Sequence, residues 1–211
     1  MTYALQTASQ TIHARLRQKL CEGGFIPGER ISIRALAQSE GTSIMPARDA
    51  VRQLVAEGAL QFIDSRSIIV PELDLESHQD ILRARTFLEG EVAAKSFDNL
   101  TMGDLKDLRT IDEAINAAIQ GNDVASYMHN NHAFHFKIYN RGNSQVYHHL
   151  IQILWMRYGP SMQFIFTKYG AMTFAKDFHQ NITDALGAGD KSAFVDAVRA
   201  DIAQGMKLII E

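Results

Sequence analysis

The sequence predicts a mostly α-helical protein in two parts, an N-terminal winged helix-turn-helix followed by an all-α bundle of six helices. Three observations carry this fold class. Within residues 28–58, two short amphipathic segments are separated by a turn at Gly41 and closed by Gly58, the outline of a helix-turn-helix. Directly after it, residues 60–63 and 67–70 flank the polar tip Asp64-Ser65-Arg66, a β-hairpin pattern. Beyond Pro71, apolar residues recur at helical spacing to the end of the chain. The division is placed at the linker, giving residues 1–72 to the winged part and 73–211 to the bundle.

Each element has its own local warrant. Residues 7–22 carry Ile12, Leu16 and Leu20 at steps of four, and Gly23-Gly24 ends that helix. Its Arg15, Arg17 and Lys19 lie off the apolar stripe and form a solvated face. Pro27-Gly28 is a turn and Arg30-Ile31 a short strand. Ser32 caps a helix that buries Ile33, Leu36 and Ala37. Ser43 caps the next, which places Ala47, Ala50, Val51, Leu54 and Val55 at helical spacing. Pro46 falls in its first turn, where a missing N–H costs little.

In the back part, helices are predicted over residues 74–98, 101–120, 124–139, 144–158, 174–186 and 191–210. Thr101 with Asp104 is a variant of the capping box. Gly159-Pro160 interrupts the helical pattern, and the aromatic-rich residues 162–169 receive no element.

Composition narrows the function classes. The 211 residues are 46% hydrophobic and 21% charged, with a net charge of -3. Residues 1–73 hold eight Lys/Arg against seven Asp/Glu, and the remainder 13 against 17. Any nucleic-acid affinity therefore rests on a few well-placed arginines, not on a basic field. Cys21 is the only cysteine, so no intrachain disulfide forms, and a small buried hydrophobe in a reducing cytoplasm is its natural role. The first ten residues lack the basic and apolar segments of a signal peptide, and no apolar run approaches the ~20 residues of a membrane span. A cytoplasmic protein with no membrane partner is expected.

Two groups of residues in the bundle have chemistry in their spacing. Asn131 and His135 lie four apart, so they face the same way on one helix. His179 and Asp201 lie on either side of the last turn, at similar levels of an antiparallel helical hairpin. Four O and N donors from three helices can thus converge inside the bundle. Two imidazoles, a carboxylate and an amide oxygen suit a divalent transition metal, Zn, Ni, Fe or Mn. The plain alternative is a pair of hydrogen-bonded histidines without metal. His132 lies three residues before His135 and is assigned to the same pocket; His129 is placed at the surface. Arg85 and Glu89 lie one turn apart, a spacing that also describes an ordinary pair on a helix surface.

At this point the chain resembles GntR-family transcription regulators with an FCD (FadR C-terminal) effector domain, in the VanR-like six-helix type. The resemblance runs from about Ile12 nearly to the end. It rests on PGERISIRALAQSEGTSIMPARDAVRQLVAEGAL in the front, and on Arg85 with Glu89, NHAFHFKIYNRGNS, His179 and Asp201 in the back. The likeness implies that Arg34, Ser43 and Arg48 touch DNA, and that Arg66 at the hairpin tip reaches a minor groove or phosphate. It implies the same four metal positions, where the family pattern is one Asp followed by three His; here Asn131 comes first and Asp201 last. It implies that Arg85 points into an effector cavity and clamps a ligand carboxylate. Two departures lie in the reading head: Ile44 and Met45 replace a usual polar pair such as Arg-Thr, and Ser67 replaces a usual wing glycine. Ile44 and Met45 remain DNA-facing positions, able to pack on a thymine methyl but unable to read guanine.

The function expected is a ligand-responsive DNA-binding regulator, a repressor working as a homodimer on a near-palindromic operator and released by a small carboxylate. The alternatives are a helical metalloenzyme, for which Asp177 and Asp184 would be the available bases, and a ligand-binding protein of this fold without DNA contact.

Overall fold

The structure is a computed structural model that describes the backbone of residues 7–169 and 178–210, with side chains described except at 165–169 and 205–210. It begins with α1 (Ala8–Cys21), closed at its start by a capping box between Thr7 and Gln10. Next come β1 (Arg30–Ser32), α2 (Ile33–Ser39), α3 (Ile44–Ala56), β2 (Gln61–Phe62) and β3 (Ser67–Ile69). The predicted two-stranded ribbon is in fact a three-stranded antiparallel sheet of order β1-β3-β2, with Arg30 opposite Ile69 and Phe62 opposite Ile68. Three helices and this sheet enclose Leu16, Leu20, Ile33, Ala50, Leu54 and Ile68 in one core.

The local predictions at α2 and α3 divide. The Ser32 hydroxyl accepts from the Ala35 N–H, as a cap should. Ser43 occupies the cap position of α3 in extended backbone, yet its side chain makes no capping hydrogen bond. At the wing, the Asp64 carboxylate accepts from the backbone N–H groups of Arg66 and Ser67 at 2.6 and 2.9 Å. Neither residue has positive φ, so Ser67 replaces the wing glycine without strain.

Six helices follow: α4 (Leu75–Ser96), α5 (Met102–Gln120), α6 (Val124–Tyr139), α7 (Gln145–Tyr169), α8 (Phe178–Ala188) and α9 (Lys191–Ile210). The Thr101–Asp104 capping box is present in full. Burial works against the Asp104 carboxylate, but hydrogen bonds from Arg141 and Thr101 outweigh it and hold its pKa far below the usual range. Helix α4 packs along α9 and α7, α5 along α6, and α8 along α9. The predicted start of α8 at residue 174, and Asp177, lie outside the described residues.

One prediction fails in an instructive way. Gly159-Pro160 does not interrupt the helix, and α7 runs through it to Tyr169, taking in the stretch left unassigned. Gly159 is there for close approach. A Cβ at this position would collide with the Leu20 carbonyl oxygen and lie 3.0 Å from that of Cys21, at the end of α1. Nearby, Gly23, in left-handed backbone at φ 66°, lies against Met128 and Gln163. The bundle therefore meets the winged head nearly backbone to backbone, with α1 packed on both α3 and α7.

Gly159→Ala should force this joint apart. Overpacking of this kind costs about 1–3 kcal/mol. Thermal unfolding of the variant should show a midpoint lowered by several degrees; an unchanged midpoint would mean that the joint is loose.

Candidate functional site

The site is built at the centre of the bundle from α4, α5, α6, α8 and α9. Arg85 on α4 is 3% exposed and Glu89, one turn on, is 0% exposed, so the pair is internal and the surface reading of its spacing does not hold. Arg85 Nε donates to Glu89 Oε1 at 2.6 Å. The guanidinium is also held between two aromatic faces, 4.5 Å from the Trp155 ring centre and 4.7 Å from that of Tyr158. Trp155 is thereby a core residue.

Glu89 Oε2 accepts a second hydrogen bond, from the Tyr139 hydroxyl at 2.5 Å. Burial, with the Glu89 charge beside it, pushes that phenol well above its ordinary pKa and keeps it protonated. Because the single hydroxyl proton goes to Glu89, the Tyr139 oxygen is the acceptor in its 3.0 Å contact with His135 Nδ1. Nδ1 therefore carries a proton, and in the neutral imidazole Nε2 holds the lone pair.

That lone pair faces Asp201. His135 Nε2 lies 3.0 Å from Asp201 Oδ2, and His179 Nε2 lies 3.6 Å from Oδ1 of the same carboxylate. His179 Nδ1 is backed by Asp112 at 3.4 Å. His135 is thus anchored through Nδ1, His179 turns Nδ1 toward the Asp112 carboxylate, and both present Nε2 toward Asp201, the arrangement by which metal-binding histidines are oriented. The donor atoms of His135, His179 and Asp201 all lie within 4.8 Å of one another. Ligand atoms around an ion with bonds of about 2.0–2.1 Å are separated by about 3.3 Å, so the observed spacings fit a divalent transition metal. The chemistry fits as well: a lone pair turned toward a carboxylate is unfavourable unless a second proton or a cation lies between. Burial tends to raise the pKa of Asp201, but the positive charge of His179 and the hydrogen bond and charge of His135, when those imidazoles are protonated, outweigh it and lower it, so the carboxylate favours a positive partner at this point.

Asn131 lines the same cavity, together with Arg85, Tyr158 and Phe178. Its open volume is about 50 Å³, far below the several hundred Å³ of a pocket for a drug-sized ligand. Phe134 packs on His179, with ring centres 4.3 Å apart. His132 does not line this cavity. It stacks on Phe136, meets Trp155 edge-on, and lies 3.9 Å from Glu22 at the end of α1. His129 is at the surface and pairs with Glu22 at 3.2 Å. Spacing did not identify Tyr139 and Asp112 as parts of the site. The four-residue step from His135 to Tyr139 was the available signal for the first, and nothing local marks the second.

The residues expected to touch DNA lie on the helix-turn-helix and the wing. Arg34, Ser43, Ile44, Met45 and Arg66 are exposed, and Arg48 is half-buried near the start of α3. They bring together the exposed side of the helix-turn-helix and the wing tip, which is tied to α2 by the hydrogen bond from Ile33 N–H to the Arg66 carbonyl.

Together, the winged head and the small cavity in the helical bundle define a ligand-responsive DNA-binding transcription regulator. Residues 8–70 match the model described as bacterial regulatory proteins, gntR family, and residues 80–204 match the FCD domain. The chain belongs to the GntR family, with an FCD effector domain. It is 32% identical over 151 residues to the HTH-type transcriptional regulator McbR of Escherichia coli (strain K12), a match covering 72% of this chain and 68% of that protein. The solved structure of E. coli McbR/YncC is similar with a TM-score of 0.91 at 26% identity, covering 97% of this chain and 98% of that one. A GntR regulator from Rhodococcus sp. RHA1 shares the fold at a TM-score of 0.77 and 19% identity, covering 97% and 98%. These are regulators, and the enzyme alternative is set aside on that ground. Among the described residues no helix is long and apolar enough to cross a membrane.

Burial pushes the His132 imidazole down to about 4, against an opposing pull from Glu22. Burial lowers His78 and His148 in the same direction. A histidine kept neutral in the fold binds fewer protons than in the unfolded chain, so its stabilisation is lost as pH falls from about 6.5 toward 4. For His132 alone the loss should reach about 3 kcal/mol across that window. Denaturant unfolding at stepped pH checks this, and His132→Gln should flatten the slope.

Proposed function

We propose that the protein is a homodimeric, cytoplasmic repressor whose two winged heads grip a near-palindromic operator and release it when a small carboxylate occupies the bundle cavity. The observation that carries this reading is the convergence of His135, His179, Asp201 and Arg85 on one small cavity. His135, His179 and Asp201 would hold a divalent transition metal, with the Asn131 amide oxygen as a weaker fourth donor. The metal would supply a Lewis-acid anchor for a ligand carboxylate. Arg85 presents the second positive site, fixed by Glu89 and by the rings of Trp155 and Tyr158. The volume of about 50 Å³ favours an effector of a few heavy atoms, and anything larger must displace wall side chains to enter. An effector that shifts the head must bind the released arrangement more tightly than the gripping one. The shared helix α1 is the physical link between the two.

On the DNA side, Arg34, Ser43 and Arg48 would contact the major groove and its phosphates, and Arg66 a minor groove or phosphate. A planar guanidinium suits both guanine and phosphate. The Ser43 hydroxyl, uncommitted to a cap bond, is available to a phosphate. In mobility-shift titrations with the promoter region of its own gene, the protein should bind saturably and in a salt-sensitive way. Arg48→Ala should lose on the order of 1–3 kcal/mol of specific binding. Saturable binding that Arg48→Ala leaves intact would remove this residue from the interface, and no specific binding at all would leave only a ligand-binding module.

Metal loading has its own test. Elemental analysis after dialysis should find a transition metal near one equivalent per chain. Metal at 100 times its Kd should stabilise by about 2.7 kcal/mol, raising the melting midpoint by roughly 5–10 °C for a chain of this size. His135→Ala and Asp201→Asn should abolish that rise, and a wild-type protein indifferent to every divalent ion would sink the metal assignment.

A further inference from the structure

The outer face of α3 carries an apolar feature that the fold does not use. Ala47, Ala50, Val51 and Leu54 face the core. On the opposite side Met45, Arg48, Asp49 and Arg52 follow i, i+3, i+4 and i+7, one stripe of a helix. Met45 is 62% exposed within that stripe, and Ile44 beside it is 45% exposed. Neither gains much from folding, and two adjacent large apolar side chains left in water mark a contact surface.

What surrounds them decides the kind of partner. Arg48, half-buried, and Arg52, exposed, share the stripe of Met45, so the apolar pair has on its own helix cations suited to phosphates. Asp49, 3.6 Å from Arg52, steers that one guanidinium within the stripe. The C5-methyl of thymine is the one apolar group that an unmodified base pair presents in the major groove. Guanine presents only acceptors there and adenine an acceptor and a donor, and neither Ile nor Met can answer them well. Met, unbranched and polarizable, adapts readily to such a contact.

We propose that Ile44 and Met45 read thymine methyl groups, so that each operator half-site carries A·T pairs beneath the first turn of α3, next to a position read by Arg48. This rests on the reading of α3 as the helix that enters DNA and adds the base class to it.

The test uses the full chain and a randomised duplex pool, followed by anisotropy titrations on the enriched site at fixed salt. Replacing thymine by deoxyuridine at successive positions deletes one methyl at a time and leaves the protein untouched. One or two positions per half-site should weaken binding about fourfold per methyl, the equivalent of one buried carbon. Met45→Ala and Ile44→Ala, both at exposed positions, should erase the deoxyuridine effect at their respective positions while leaving the salt slope unchanged. Enrichment of G·C at these positions would overturn the proposal, as would deoxyuridine losses that persist in both variants. If binding occurs only without sequence preference, the operator reading falls with it, and the apolar pair would belong to a protein contact.

Discussion

Everything in the bundle depends on one buried chain of charged and polar groups. It runs from Arg85 to Glu89, on through Tyr139 to His135, across Asp201 to His179, and ends at Asp112. Its members come from α4, α6, α9, α8 and α5. Removing a charge from water costs several kcal/mol unless it is paired and its remaining hydrogen-bonding capacity is satisfied. The pairings of this chain form only when all five helices are in place together. The same condition makes the site responsive, because a ligand that takes over one partner obliges the next to find another. The low volume of the cavity adds to this, since a well-packed interior passes displacement on instead of absorbing it.

Displacement inside the bundle has a short path to the reading head. Trp155 touches Arg85 and His135, which line the cavity, and also His132. His132 and His129 face Glu22 at the last turn of α1, and Gly159 brings α7 against the carbonyls of Leu20 and Cys21. Helix α1 in turn packs on α3. No long linker intervenes at this joint, so a shift of α7 relative to α6 has α1 as its immediate neighbour. What the joint can transmit is bounded by the difference in ligand affinity between the two arrangements.

Most of the fold was legible because its signals are local. Ser32 and Thr101 cap their helices with side-chain bonds to residues three positions on, a relation that the sequence displays directly. Gly159-Pro160 was misread because a glycine that permits close approach looks the same as one that ends a helix. Only the position of Leu20 distinguishes them. The third strand was half-seen, since Arg30-Ile31 reads as a strand but its pairing with β3 is a long-range fact. In the site, Asn131 with His135 was visible through helical spacing. Arg85 with Glu89 was ambiguous, because an i, i+4 pair has the same spacing on a surface or in a core and burial alone separates the cases. Asp112 was invisible, as its role depends on which face of α5 meets α8.

The exchange of donors between Asn131 and Asp201 has a consequence that follows from where the charge now sits. The family pattern of one Asp and three His carries one negative charge, and so does this set, but the charge has moved from α6 to α9. On α6 it would stand one turn from His135, on the same helix. On α9 it lies between two imidazoles from two other helices, 3.0 Å from one and 3.6 Å from the other. An ion held there would draw α6, α8 and α9 toward a single point, and α9 packs along α4, which carries Arg85. The exchange would therefore keep the charge needed to hold a divalent cation while placing it between donors from two other helices. A site of this design would have lower intrinsic affinity through its neutral amide. Its occupancy would couple to the packing of the three helices that carry its donors.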